Sequence, residues 1–184
     1  MQVLKFLPLF FLSSLFAACN SGSDTSQTNG TAAGNTAAAS PSDKKELTFM
    51  LADQTVSKGD TVYIEVTVRD FTNILSMQYS FNWNPNVLKF IKLDKLNLKD
   101  LTINNFGLNR TEQGKIGTSW FDLAVKGISL PDGTPIYRVC FLAVGDPGSK
   151  DQVFFSSEPV VIEISNSAEQ LLNLAFKRAT ITIQ

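Results

Sequence analysis

The chain has 184 residues, a formal net charge of −1 and no histidine. That length suits one domain plus an accessory segment. The near-neutral charge argues against nucleic-acid binding, which needs a basic face. The lack of histidine excludes Ser-His-Asp and Cys-His catalysis and histidine-ligated zinc. The only two cysteines, Cys19 and Cys140, are too few for a four-cysteine zinc site or a disulfide framework.

The first nineteen residues are typical of a secretion signal. Lys5 precedes an apolar run over residues 6–16, which is too short to span a membrane and has the length of a signal-peptide core. Two alanines then precede Cys19, and the stretch resembles the lipobox of bacterial lipoproteins, with Phe16 where that family prefers Leu. The resemblance implies that Cys19 carries three acyl chains, enough for a firm membrane anchor. The alternative is an ordinary signal peptide with an incidental cysteine.

The residue after Cys19 bears on the destination of the protein. In the bacterial sorting rule that the resemblance brings with it, Asp at this position retains a lipoprotein at the inner membrane. The chain has Asn20 there. We therefore expect lipid attachment at the bacterial cell envelope, at the outer membrane.

Residues 20–45 are expected to form a flexible tether. From Asn20 to Asp43 there is no aromatic residue and no Leu, Ile, Val or Met, so the segment cannot bury enough apolar surface to offset its ordering entropy. A chain of this kind has a root-mean-square span of roughly 28 Å. That span suits a domain that must reach a partner away from a membrane, and it equally suits a spacer of no tuned length.

From residue 46 onward the sequence predicts β-strands. Apolar and polar residues alternate with a period of two, the pattern of half-buried strands. The alternating runs are Leu47–Leu51, Val62–Val68, Tyr79–Trp83, Ile116–Trp120, Tyr137–Ala143, Val160–Ile164 and Ala179–Ile183. Turn residues separate several of the runs, as in Lys58–Asp60 and Asn84–Asn86. The best helical candidate is Ala168–Leu172.

Eight or nine strands in residues 46–184 predict an all-β sandwich with jelly-roll topology. A domain of this size buries about two thirds of its unfolded surface, so it requires no disulfide and no metal. Cys140 lies inside one of the alternating runs. We interpret it as a small hydrophobic residue that is buried or half-buried.

Three segments carry a resemblance to a known family. Residues 56–62 match an opening x-x-G-D-x-V turn, residues 76–88 a third strand followed by Tyr-Asp-Pro-x-x-Leu, and residues 130–141 an Asp-Gly entry into a later core strand. In this order the segments resemble those of a cohesin domain, the receptor module that binds dockerins in cellulosome-type assemblies. The chain departs from the family at Trp83 and Asn84, which stand for Tyr and Asp.

The resemblance implies a binding site on one sheet face, to which the third strand contributes polar side chains. Alternation directs the aromatic residues Tyr79, Phe81 and Trp83 inward. The outward residues, and so the predicted partner-binding set, are Ser76, Gln78, Ser80 and Asn82. The family often has an acid near Gln78, so we expect a different partner preference here. The alternative is a solvated polar face without a partner.

The sequence offers weaker candidates for a sugar-binding site and for a catalytic pair. Carbohydrate-binding modules related to cohesins share the fold, and Trp120 and Phe121 are adjacent, so that one of them should point outward and could stack on a sugar. Glu158 and Glu163 could form a glycosidase pair, but Glu158 precedes a proline in a turn and nothing else indicates a sugar cleft. The aspartates lack the dense spacing of a calcium loop.

The sequence therefore predicts a lipid-anchored, non-catalytic envelope module that docks a dockerin-like protein, with no cofactor, no metal and no nucleic acid. One alternative is a surface lipoprotein that binds a polysaccharide on the same fold. Another is a structural envelope domain whose surface has lost its partner.

Overall fold

The computed structural model describes residues 46–184, and the predicted signal peptide, the lipidation site Cys19 and the tether lie outside the described residues. Twelve strands and two short 3-10 helices follow one another. The strands are β1 Glu46–Met50, β2 Gln54–Val56, β3 Thr61–Arg69, β4 Ile74–Asn82, β5 Leu88–Asp94, β6 Phe106–Gly107, β7 Lys115–Phe121, β8 Pro135–Ala143, β9 Lys150–Ser156, β10 Glu163–Asn166, β11 Leu171–Lys177 and β12 Ala179–Ile183. The 3-10 helices are Ile103–Asn105 and Thr111–Gln113.

The strands form two facing layers. In one layer β1, β3, β8 and β5 are neighbours in that order. In the other, β7 pairs with one edge of β4, whose second edge is shared by β10 and β9. Strand β11 pairs with both β10 and β1 and so joins the layers. The predicted all-β sandwich with jelly-roll topology is confirmed, with twelve strands in place of the expected eight or nine.

The core lies between the layers and is rich in aromatic rings. The Tyr79 hydroxyl of β4 donates a hydrogen bond to the Tyr137 hydroxyl of β8 at 3.3 Å. Phe81 of β4 stacks on Phe141 of β8 with ring centroids 6.4 Å apart. Since each fully buried side chain of this size contributes roughly 1.5–3 kcal/mol, these contacts hold the two layers together. The prediction that Tyr79, Phe81 and Trp83 point inward is confirmed.

The helical candidate Ala168–Leu172 is wrong, because β11 begins at Leu171 after a turn. The Asn166 side-chain oxygen accepts hydrogen bonds from the backbone N–H groups of Ala168 and Gln170, both at 3.0 Å. Glu169 adopts a left-handed conformation, with φ of 59°. Asparagine side chains that bond to nearby backbone in this way compete with helix formation. No helix among residues 46–184 is long and apolar enough to cross a membrane.

Candidate binding face

The outer side of β7, β4 and β10, here called the docking face, contains all four predicted partner-binding residues. Residues paired across neighbouring strands direct their side chains to the same side of a sheet. On the β7 side, the β4 residues Ser76, Gln78, Ser80 and Asn82 pair with Phe121, Ser119, Gly117 and Lys115 in turn. On the β10 side, Ser76 pairs with Ser165 and Gln78 pairs with Glu163. The pairing thus brings the predicted set into one row along β4 and adds neighbours from two other strands.

The end of the docking face around Ser76 is accessible. Ser76 and Gln78 are half-buried, and the hydroxyl groups of Ser76 and Ser165 share a hydrogen bond of 2.7 Å. Large apolar side chains flank this polar centre, since Phe121 is 43% exposed and Leu171, which pairs with Ser165, is 68% exposed. This accessible end therefore combines small polar groups with apolar margins. The partner-binding role of Ser76 and Gln78 stays a prediction.

The other end of the docking face is covered by residues 157–162, the covering segment. The Ser80 hydroxyl donates to the carbonyl of Val160 at 3.1 Å and accepts from its N–H at 2.8 Å. The Asn82 amide donates to the Ser156 hydroxyl at 2.8 Å. Ser80 is fully buried and Asn82 is 6% exposed. The sequence predicted that both side chains are exposed and can contact a partner. That predicted exposure is wrong.

Gly117 and Lys115 of β7 hold the covering segment in place. A Cβ atom on Gly117 would lie 2.6 Å from a Val160 methyl group, so only glycine lets the segment lie this close. Lys115 donates to the Glu158 carboxylate at 3.0 Å and keeps the pKa of Glu158 below its usual value. Sequence reasoning missed this cover, because the Val160–Ile164 alternation predicts a strand where β10 begins only at Glu163.

The proposed sugar-stacking pair divides between core and surface. As predicted, one member points outward, and it is Phe121. Trp120 is 1% exposed, its indole N–H donates to the Lys99 carbonyl at 2.8 Å, and its ring packs near Phe71. A buried ring cannot stack on a sugar, so the candidate role of Trp120 is wrong. The role of Phe121 stays a prediction.

The loop after β7 is organised by Asp122, whose side chain is 1% exposed. Its carboxylate accepts backbone N–H bonds from Ala124 at 3.2 Å and from Lys126 and Gly127 at 3.0 Å each. Lys99 donates a further bond at 3.2 Å. These donors hold the pKa of Asp122 below its usual value, against the opposing effect of burial. The loop presents two exposed apolar side chains, Leu123 and Val125, beside Phe121.

The outer side of the opposite layer is charged and carries Cys140. This residue pairs with Tyr63 and Lys92, both on the outer side, yet it is fully buried beneath its neighbours. Burial raises the pKa of its thiol, and the predicted burial of Cys140 is confirmed. Arg138 donates to both oxygens of Asp94 at 2.6 and 2.9 Å, which lowers the pKa of that carboxyl.

Within residues 46–184 no group of three or more His, Cys, Asp or Glu side chains could hold a metal ion. The two acids weighed as a glycosidase pair have separate surroundings, since Glu158 is paired with Lys115 while Glu163 borders Gln78 on the docking face.

Fold and surface together define a β-sandwich module that presents one partly covered sheet face. The family model of the cohesin domain matches residues 47–177, most of the chain. The chain therefore belongs to the cohesin domain family. No curated protein matches it.

Solved cohesin structures share the fold at low identity. A type I cohesin–dockerin complex from Clostridium thermocellum has a TM-score of 0.63 and 11% identity, covering 76% of this chain and 99% of that one. A non-cellulosomal cohesin from the archaeon Archaeoglobus fulgidus has a TM-score of 0.60 and 18% identity, with coverage of 76% and 91%. A cohesin from Clostridium acetobutylicum has a TM-score of 0.62 and 16% identity, with coverage of 77% and 92%.

Proposed function

We propose that this protein is a non-catalytic receptor module of a bacterial cell envelope that docks a dockerin-like protein on its docking face. Membership of the cohesin family supports a protein-binding role. Several of the similar structures are complexes of a cohesin with a dockerin, including two from Clostridium thermocellum. These observations favour a folded protein partner.

The observation that carries the proposal is the chemistry of the accessible end of the docking face. Ser76 and Gln78 are uncharged polar groups, the exposed acid Glu163 pairs with Gln78, and Phe121 and Leu171 border them with exposed apolar surface. Interfaces between proteins have this composition, with apolar or aromatic anchors and few charges at the centre. Because Gln78 is neutral, its hydrogen bonds to a partner are weaker than those of a carboxylate.

The covering segment restricts where a partner can bind. Ser80 and Asn82 are already bonded to Val160 and Ser156. A partner that leaves the segment in place therefore contacts the end of β4 near Ser76, together with the Phe121 end of β7.

The envelope location rests on the sequence. The lipobox-like stretch before Cys19 and the polar tether over residues 20–45 fit a domain that is attached to a membrane by lipid and reaches away from it. Asn20 favours the outer membrane. Lipid attachment and location are part of the proposal.

The experiment is a titration of the full chain against the protein that it captures from lysate of its own cells. Gln78→Arg introduces a charge and a longer side chain at the accessible end of the docking face. It should weaken binding by about 1–3 kcal/mol, because the longer side chain clashes with a partner packed on this end of the face. It should change the free energy of unfolding by no more than about 0.5 kcal/mol, as for ordinary surface substitutions.

The matched control is Gln152→Arg. Gln152 is exposed on β9, outside the docking face, so the same chemical change there should leave affinity unaltered. Equal affinities of wild type and Gln78→Arg would place the interface elsewhere. If the full chain captures no protein that carries a dockerin-like module, the proposed function is wrong.

A further inference from the structure

A groove opens on the side of the molecule opposite the docking face. Strand β1 pairs with β3 only at Thr67–Arg69 and then leaves its layer, so Tyr63 and Glu65 have no strand partner on that side. A cavity of about 410 Å³ lies there, lined among others by Leu51, Tyr63 and Glu65. This volume falls within the range of roughly 300–1,000 Å³ that is usual for small-molecule sites.

Tyr63 supplies a fixed aromatic surface in this groove. Its side chain is 47% exposed, and the Arg138 guanidinium lies 4.5 Å from the ring centroid. Arg138 is held in turn by two hydrogen bonds to Asp94. Because β3 lies between β8 and β1, Arg138 covers the ring from the β8 side while the cavity lies on the β1 side. One side of the ring is thus supported and the other faces the groove.

Charges at the groove are balanced. Glu65 is paired with Lys95 at 3.1 Å, and Lys177 lies 3.9 Å from Asp53. A charged ligand would have to compete with these ion pairs and would gain no excess charge of opposite sign. The lining therefore favours a neutral ligand.

Hydrogen-bonding groups continue beyond Tyr63. The Gln54 amide donates to the Tyr63 carbonyl at 2.8 Å and keeps its side-chain oxygen as an acceptor. Glu65 lines the same cavity and offers a second acceptor.

We propose that this groove binds a neutral glycan, with one pyranose ring on Tyr63 and further sugar hydroxyls on Gln54 and Glu65. A pyranose has an apolar C–H face, which gains by burial against an aromatic ring, and a rim of uncharged hydroxyls. Both properties match the groove. The site is separate from the docking face, so glycan and protein partner can bind at the same time.

The test is calorimetric titration of the full chain with neutral gluco-, manno-, xylo-, galacto- and chito-oligosaccharides. At least one should bind saturably. Tyr63→Ala should weaken that binding about tenfold or more, since the stacking surface is lost. Tyr63→Phe keeps the ring and should stay within about threefold of wild type. Gln54→Ala, a second groove variant, should also weaken binding.

Thermal melts of each variant establish that it is folded. Phe121→Ala, on the docking face, should bind the oligosaccharide as wild type does. Failure of wild type to bind any neutral oligosaccharide would overturn the proposal. Wild-type affinity in both Tyr63→Ala and Gln54→Ala would also overturn it. Loss of oligosaccharide binding in Phe121→Ala alone would overturn it as well. None of these outcomes bears on the docking of a protein, which the Gln78→Arg titration tests separately.

Discussion

Trp83 packs against three aromatic rings at its end of the core. Its ring centroid lies 6.3 Å from that of Phe81, 6.2 Å from that of Phe90 and 5.0 Å from that of Phe141. These rings belong to three strands, β4, β5 and β8. We expect Trp83→Ala to lower the free energy of unfolding by about 3–5 kcal/mol, because it removes a large buried side chain and leaves a cavity. Urea unfolding measures this loss.

Phe121→Ala is the control for the Trp83 prediction. Phe121 is 43% exposed on the docking face, so its removal should cost less than about 1 kcal/mol. A loss below 1 kcal/mol for Trp83→Ala would mean that Trp83 does not pack as described.

Asp122 should make stability depend on pH in the acid range. Its pKa is lower in the fold than in the unfolded chain, where an aspartate titrates near about 3.9. Between the two values the unfolded chain binds more protons, so stability falls as the pH falls through this window. Above it, the stabilisation from the bonds to Ala124, Lys126 and Gly127 is fully present.

We therefore expect Asp122→Asn to lower the urea midpoint at pH 7, and the difference from wild type to shrink at pH 3. An equal difference at both pH values would contradict the role of the ionised carboxylate. Asp100→Asn is a matched control, because the Asp100 carboxylate accepts a single backbone bond, from Leu123.

At the residue scale, alternation predicted the side of the sheet but not the exposure. It predicted that one of Trp120 and Phe121 points outward without assigning which, and in the structure it is Phe121. It also directed Ser80 and Asn82 outward, yet both are buried, because Val160 of the covering segment and Ser156 at the end of β9 bond to them. A periodic pattern in one strand contains no information about such a cover.

Among the elements, the covering segment decides which part of the docking face is open. We expect Gly117→Ala to cost about 1–3 kcal/mol, the usual result of adding an atom to a close-packed site, because the new methyl would lie 2.6 Å from Val160. Val160→Ala should recover most of this loss in the double variant, since it removes the colliding methyl groups. Urea unfolding of the two single variants and the double variant gives the coupling energy.

Additive losses in the double variant would mean that Val160 and Gly117 are not in contact. Gly107→Ala serves as a control on the neighbouring strand β6, where the nearest atoms to an added Cβ are 3.8 Å away. This substitution should be tolerated far better.

Strands with regular alternation were predicted and irregular strands were not. The run in β3 has four fully buried residues, Val62, Ile64, Val66 and Val68, and its strand was foreseen. Strand β5 has a register shift between Phe90 and Lys92 that breaks the period. Strand β11 pairs with β10 of one layer and β1 of the other, and its side chains do not keep to one buried face.

At the scale of the whole molecule, we propose a cohesin-family domain on a lipid-attached tether. We expect Cys19→Ser to move the protein from the membrane fraction to the soluble fraction or to an uncleaved precursor, because the acyl chains that hold it would be absent. Fractionation with acyl labelling measures this. Cys140→Ser is the control, since Cys140 is buried within the domain. Membrane association of Cys19→Ser equal to wild type, without acyl labelling of wild type, would contradict lipid attachment.

Docking sites were predictable only in part, because they depend on contacts between distant residues. The cohesin resemblance identified strand β4 and the outward side of Ser76 and Gln78. It could not identify Ser165 or Leu171, which reach the docking face through the pairing of β10 with β4 and β11. The groove beside Tyr63 likewise arises from the departure of β1 from its layer, which no local pattern records.

The most direct test of the docking face is site-specific photo-crosslinking in living cells. A photoreactive benzoylphenylalanine replaces Gln78 in the full chain, and separately Gln152 as the control outside the docking face. We predict a crosslinked protein at position 78, identified by mass spectrometry as carrying a dockerin-like module, and none at position 152. A crosslink to such a module at position 152 and not at position 78, or no protein crosslinked at position 78, would contradict the assignment of this face.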